Sequence, residues 1–224
     1  TLGRLCRTKM MLPVDENTNP DWKFMKQYTQ DISKIKIKQY LIFCKEQLAS
    51  IGELVNIKPF SEIEWKPFYI NDIFKIDSGK RLESYMLVGK RPFIGSTDSR
   101  NGITNYISNK NASLDRNVLG VNYNGGTAIS FYHPYECVFS DDVKRFHLKE
   151  YTDNKFVLLF FKTIILQQKN KYSYAYKFNS TRMKRQIIML PVNDAGHPDY
   201  EYMEQYIKNL MIKKYKAYLE YVEK

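Results

Sequence analysis

The stretch from Gln167 to Gln186, QQKNKYSYAYKFNSTRMKRQ, carries Lys169, Lys171, Lys177, Arg182, Lys184 and Arg185 and no acidic residue. Like charges at this density repel one another unless an anion lies close, and the phosphates of a nucleic acid are the simplest such anion. Tyr172, Tyr174, Tyr176 and Phe178 alternate through the same stretch, so on an extended backbone their rings share one face. That face suits base stacking or the domain's own core. A second stretch, GSTDSRNGITNY from Gly95 to Tyr106, is crowded with groups that hydrogen-bond to base edges and phosphates: Ser96, Thr97, Asp98, Arg100 and Asn101. An ordinary loop between strands has a similar composition.

Signatures of an active site are poor. Asp199 and Glu201 near Lys208 suggest a metal nuclease, but Asp199 has a counterpart, Asp21, in an internal repeat and stands in the first turn of a helix. Asp141 and Asp142 in FSDDVKRF form a second carboxylate pair, better suited to closing a strand. His133, His147 and His197 have no ligand spacing. The chain holds no Asp/Asn-Pro-Pro-aromatic tetrapeptide to grip a flipped base and no glycine-rich turn from strand to helix for a nucleotide cofactor. A non-catalytic, polyanion-binding protein is therefore expected. Two alternatives stand beside it: a nuclease or methyltransferase fragment using Asp141, Asp142 or Asp199, and a non-specific RNA or single-strand binder stacking bases on the tyrosine row.

Composition agrees. The 224 residues include 35 Lys and Arg against 24 Asp and Glu, a net charge of +11, and 43% are hydrophobic, enough for a packed core. No apolar run approaches the roughly 20 residues that span a bilayer, and the first residues have no signal-like core, so a soluble, intracellular protein is expected. Cys6, Cys44 and Cys137 are odd in number and widely spaced, which argues for reduced thiols.

The elements that position these stretches begin with the repeat. RTKMMLPVDENTNPDWKFMKQY from Arg7 returns as RQIIMLPVNDAGHPDYEYMEQY from Arg185, and placing Arg4 on Arg182 carries the register without a gap to Glu46 on Lys224. Each copy reads as a short apolar strand, a polar turn, and a helix with Pro first and Asp behind it, Asn19 being a good N-cap and His197 a poor one. Apolar residues three and four apart, Met25, Tyr28, Ile32 and Ile35, predict a helix over about 20–54, uninterrupted by Pro or Gly from Pro20 to about Ser50, a span of roughly 45 Å. Met203, Tyr206, Leu210 and Ala217 mark the same rail in the second copy. Each helix could simply cover its own domain, but narrow stripes with lysine-rich opposite faces predict instead that the two helices pair antiparallel, as a pseudo-twofold rod, or pair with a partner. Between them the pattern turns to short strands (WKPFYI, RPFIG), a hairpin of Val118–Tyr123 and Thr127–Tyr132 about Asn124, Gly125 and Gly126, and a buried helix from Asn154. The expected organisation is a helical region 1–57, a recognition domain 58–181 and a helical region 182–224. The fold class is α+β, a mixed or antiparallel sheet with two long helices in an antiparallel coiled coil.

PFIGSTDSRNGI, VNYNGG, SFYHPYECVFSDDVKR and KYSYAYKFNSTRMKRQIIMLPV, in this order and followed by the helical tail, resemble the target-recognition domains of DNA specificity subunits from type I restriction-modification systems and related fused type II enzymes. The likeness runs from about Trp65 to Lys224, and residues 4–50 look like the helical region that follows a preceding recognition domain. The resemblance implies a subunit that reads a bipartite site in double-stranded DNA, with its paired helices as a ruler. Methyltransferase subunits that use S-adenosylmethionine would dock on it, a translocating nuclease subunit would be a further partner, and the chain itself would hold no cofactor or metal and touch no membrane. Its setting would be the cytoplasm of a bacterium or archaeon. Since the chain opens at Thr1 inside the repeat, with no first recognition domain, it is expected to be the C-terminal half of such a protein or a half-length form that dimerises. By this resemblance Ser96, Thr97, Asp98, Arg100 and Asn101 are candidates for base reading. Lys171, Tyr174, Tyr176, Lys177, Asn179, Arg182 and Lys184 are candidates for backbone or base contact.

Overall fold

Stretches that mix apolar, aromatic and β-branched residues with polar ones, punctuated by turn formers, give short strands, and the described residues of the computed structural model (7–82, 88–124, 126, 128–172 and 176–223) contain nine of them with five helices. The chain divides into two units, residues 1–53 with 212–224, and residues 54–211.

Within the larger unit, β5 (Val118–Asn122, VLGVN) is buried along its whole length, as befits a strand covered on both faces. It lies inside a four-stranded antiparallel sheet ordered β2 (Phe74–Ser78), β8 (Val143–Leu148), β5, β6 (Ser130–His133). Gly120 sits at its centre in close quarters: a Cβ there would stand 3.0 Å from both His133 Nε2 and Phe139 Cε1, so these rings would have to shift to admit one. The expected hairpin is present, pairing Val118 with His133 through Val121 with Ser130. Its second strand runs from Ser130, after Ala128 turns left-handed (φ 61°) and closes its amide on the Asn122 carbonyl at 3.1 Å; Gly125 and Thr127 of the expected hairpin lie outside the described residues.

The apolar run after Asn154 forms α3 (Lys155–Leu166), with the Asn154 side chain accepting the Phe156 and Val157 amides at 3.0 Å each. Val157, Leu158, Phe160, Phe161 and Ile165 are buried against the sheet, and Phe161 meets Phe74 edge to face at 4.8 Å. Each such side chain contributes roughly 1.5–3 kcal/mol. A three-stranded sheet, β4 (Ile103–Ile107), β3 (Val88–Ile94) and β7 (Val138–Phe139), joins this core through Ile94, Val118, Cys137, Phe139 and Val143. A two-stranded ladder completes the unit: β1 (Trp65–Tyr69) pairs antiparallel with β9 (Ile187–Pro191) from Trp65↔Pro191 to Tyr69↔Ile187. The short helices α2 (Ile70–Ile73) and α4 (Ser180–Arg185) flank it.

Both copies of the repeat build the same turn. Val14 bridges Pro20 and Val192 bridges Pro198; the Asp15 amide bonds the Asn19 carbonyl at 2.8 Å, and the Asn193 amide the His197 carbonyl at 2.9 Å. Because the prolines belong to this turn, each helix starts later than expected. The caps are Asp21, accepting the Phe24 amide at 2.8 Å, and Asp199, accepting the Tyr202 amide at 2.9 Å, rather than Asn19 and His197. The first helix, α1 (Trp22–Ile51), ends where Gly52 adopts φ 94° and returns its amide to Leu48; the second is α5 (Tyr200–Val222). The copies differ in cover. Ile188, Leu190 and Val192 are buried, whereas their counterparts Met10, Leu12 and Val14 are exposed.

In the smaller unit, rings connect α1 to the last turns of α5: Tyr40 meets Tyr218 edge-on at 4.7 Å and Phe43 meets Tyr215 at 6.1 Å, beside buried Cys44 and Ile212. The expected rail is placed differently. Tyr28, Ile32 and Ile35 are exposed and Met25 half-buried, and Ala217 is exposed. In the larger unit Met203 is buried in the core, Tyr206 stacks on Phe60 at 4.3 Å, and Leu210 lines a cavity, so the first half of α5 turns its apolar stripe to its own domain.

Candidate nucleic-acid interface

The loop between β3 and β4 separates anchors from projecting groups. The Ser96 hydroxyl donates to the Asn124 carbonyl, and the Thr97 carbonyl accepts the Asn122 side-chain amide at 2.9 Å. Both residues are half-buried, so their bonds hold the loop down. Asp98, Arg100 and Asn101 are exposed. Arg100 (φ 50°), Asn101 (φ 54°) and Gly102 (φ 76°) are consecutively left-handed, a conformation only glycine adopts without cost. The turn is closed by the Gly102 amide on the Ser99 carbonyl and the Gly95 amide on the Gly102 carbonyl, 2.9 Å each, and by the Asn101 amide nitrogen donating to the Tyr135 hydroxyl at 2.8 Å. Strain retained at an exposed, polar tip is a mark of a functional loop.

The basic stretch after α3 is likewise split. Phe178 is fully buried, and Tyr172 packs against it at 4.4 Å while donating its hydroxyl to Gln186 Oε1 at 2.6 Å. The half-exposed Tyr176 lies parallel to Tyr172 at 5.8 Å, and the Arg182 guanidinium sits 3.7 Å from the centre of the Tyr176 ring. Arg182 Nη1 also donates to the Lys177 carbonyl at 2.8 Å, and Asn179 caps α4 by accepting the Arg182 amide at 3.0 Å. Asn179 and Arg182 therefore shape the surface, while Lys169, Lys171, Lys184 and Arg185 stand exposed on it. Tyr174 lies outside the described residues. A concavity of 540 Å³ lined by Tyr172, Tyr176, Asn179, Thr181, Arg182 and Arg185 opens beside them. Donors, planar rings and cations of this kind suit phosphates and base faces.

Two of the carboxylates considered for catalysis have structural partners. Asp199 is a helix cap, and Asp142 accepts the Asn124 side-chain amide at 3.0 Å in the turn before β8. One cluster escaped sequence reasoning because Asp115 stands 30 and 32 residues before Arg145 and His147: His147 donates to Asp153 at 2.7 Å and to Asp115 at 3.0 Å, and Arg145 donates to Asp115 at 2.8 Å. The Asp115 and Asp153 hydrogen bonds hold the His147 pKa up to about 9. Burial pushes the Asp115 carboxyl up, but the bonds from His147, the Arg116 amide and Arg145 prevail and leave it below its ordinary value. Both imidazole nitrogens are thus engaged as donors, which makes this a closed ion network. Among the described residues, no group of three or more His, Cys, Asp and Glu is placed to hold a metal ion. No helix there is long and apolar enough to cross a membrane.

Known proteins share this sequence and fold. The chain is 51% identical over 208 residues to a Heyndrickxia coagulans protein named Type II restriction enzyme BgcI specificity subunit S.BcgI, a match covering 92% of this chain and 59% of that one. The chain thus spans about three fifths of the curated relative's length. Its fold is similar to the S subunit of a type I restriction-modification system from M. genitalium, with a TM-score of 0.51 and 14% identity over 84% of this chain and 56% of that one. The HsdS subunit from Thermoanaerobacter tengcongensis aligns with a TM-score of 0.49 and 10% identity over 88% of this chain and 50% of that one. Residues 62–221 match the family model described as Type I restriction modification DNA specificity domain, and the chain belongs to that family.

Proposed function

We propose that this chain is a non-catalytic specificity module of a restriction-modification complex, binding double-stranded DNA sequence-specifically and directing a methyltransferase that brings S-adenosylmethionine, and a nuclease, to a bipartite site. The β3–β4 loop reads bases, and Lys171, Lys177, Arg182 and Lys184, with Tyr174 and Tyr176, contact backbone or bases. Family membership carries this reading. The exposed cations and the strained polar loop on one domain supply the chemistry it needs.

In this reading α1 and α5 form an antiparallel coiled coil that spaces two recognition modules of opposite direction. The supporting observation is symmetry. Tyr40 and Tyr218 are equivalent positions of the repeat, and they contact each other, as residues on a twofold axis must. A second module, from the same polypeptide or a sister copy, would cover the first copy of the repeat, where Met10, Leu12 and Val14 are exposed.

Fluorescence anisotropy with labelled duplex and single-stranded DNA over a range of salt tests the proposal. Duplex is expected to bind more tightly, with an affinity that falls steeply with salt. Cleavage with Mg²⁺, or methyl transfer from S-adenosylmethionine by the chain alone, would instead establish the enzymatic alternative. Equal binding of single strands would favour the stacking alternative.

A further inference from the structure

Three residues link the tip of the β3–β4 loop to the core. His133 is fully buried on β6, its Nε2 has no hydrogen-bond partner, and its Nδ1 lies 3.4 Å from the Tyr135 hydroxyl. That hydroxyl accepts the Asn101 side-chain nitrogen at 2.8 Å, and its one proton is then available for His133 Nδ1. The Tyr135 ring is held by packing against the cluster of Ile94, Val118, Cys137, Phe139 and Val143 and by an edge contact with His133 at 5.8 Å. The relay is therefore anchored in the core and ends on an exposed, left-handed residue next to Arg100.

This arrangement limits how the loop can meet a base edge. An asparagine that reads adenine bidentately needs both its amide nitrogen and its oxygen, donating to N7 and accepting from N6. In Asn101 one of the two amide N–H groups is engaged by Tyr135, which fixes the rotation of the side-chain amide and so the direction of its remaining groups. The oxygen is an acceptor for the exocyclic amine of cytosine or adenine, with the second N–H beside it. Arg100 carries a donor fork, whose commonest specific partner is O6 and N7 of guanine.

Building on the DNA-reading function above, we propose that Tyr135 is a specificity-determining positioning residue: by holding one Asn101 N–H it fixes the direction in which the Asn101 amide, Oδ1 included, meets a base beside the donor fork of Arg100. The wild-type target then contains a guanine next to a base bearing an exocyclic amine. Tyr135→Phe keeps the ring and its packing, removes the tether and frees the Asn101 nitrogen.

Selection from a randomised duplex pool, with the full chain and its variants, reads each position. Wild type is expected to enrich a motif with that guanine and that amine-bearing base. Tyr135→Phe should shift the preference at the amine position by about two- to tenfold, the scale of one hydrogen bond, and leave the other positions and the salt slope unchanged. Asn101→Asp tolerates the left-handed backbone, can accept the Tyr135 proton and still offers an acceptor, so it should retain the preference, whereas Asn101→Ala should lose it. An unchanged motif in both Tyr135→Phe and Asn101→Ala would overturn the proposal. If Tyr135→Phe fails to fold, the exposed Asn101 pair decides alone. A wild-type chain that binds duplex and enriches no sequence refutes sequence-specific reading itself, a failure distinct from an enriched motif that Tyr135 does not influence.

Discussion

Replacing His147 with Gln should remove a specific part of the pH dependence of stability. The imidazole donates to Asp153 at 2.7 Å and Asp115 at 3.0 Å with 24% of its side chain accessible, and the pKa is held up to about 9 from 6.5. At 1.36 kcal/mol per pH unit that rise is worth roughly 3 kcal/mol, and solvent screening of the partly accessible pair brings the measurable share to about 2 kcal/mol. The sign follows from a folded pKa above the unfolded one. The contribution is fully present below pH 6.5 and is lost as pH rises through about 9. Urea unfolding of wild type and His147→Gln at about pH 6 and about pH 10 measures it. Wild type should lose roughly 2 kcal/mol more than the variant between those values. Burial pushes the Cys137 thiol up to about 12, which also weakens the fold at high pH, but it does so in both proteins and cancels in the difference. Parallel pH profiles for the two proteins would refute the network argument.

Other substitutions examine the core, the helix pair and the interface. Phe161→Ala removes a fully buried ring from beneath α3 and should cost about 3–5 kcal/mol in unfolding experiments. Tyr218→Ala deletes the edge contact with Tyr40 and should cost about 0.5–1.5 kcal/mol, with hydrogen exchange speeding up around Tyr40 in α1. Lys171→Ala and Lys184→Ala should each weaken binding to all duplexes alike and flatten the salt slope by roughly one.

Much of the fold was legible because its signals are local. The turn formers Asn124 and Gly126 mark the β5–β6 hairpin, and a largely apolar stretch after the Asn154 cap marks α3. The repeat was equally plain, and both copies fold into the same turn. What escaped was decided by tertiary context. The apolar stripe of α5 serves two purposes along its length, so Met203 and Tyr206 look like helix-pairing residues in sequence and pack in the domain. The cap passed from Asn19 to Asp21 because Pro20 pairs with Val14 instead of starting the helix. At the candidate interface the sequence supplied the residue types, but not that Ser96 and Thr97 tie the loop to Asn124 and Asn122 while Arg100 and Asn101 project. The partner of Asn101, Tyr135, lies beyond the reach of any spacing rule.

The central claim is that this chain selects DNA sequence for another subunit's chemistry. Mapping methylated bases across the genome of cells expressing the chain together with its neighbouring methyltransferase tests it most directly. The account predicts methylation at one bipartite motif that appears only when both proteins are present and changes in one half with Arg100→Ala. Methylation at the same sites without the chain, or a motif indifferent to every substitution between Asp98 and Asn101, would contradict it.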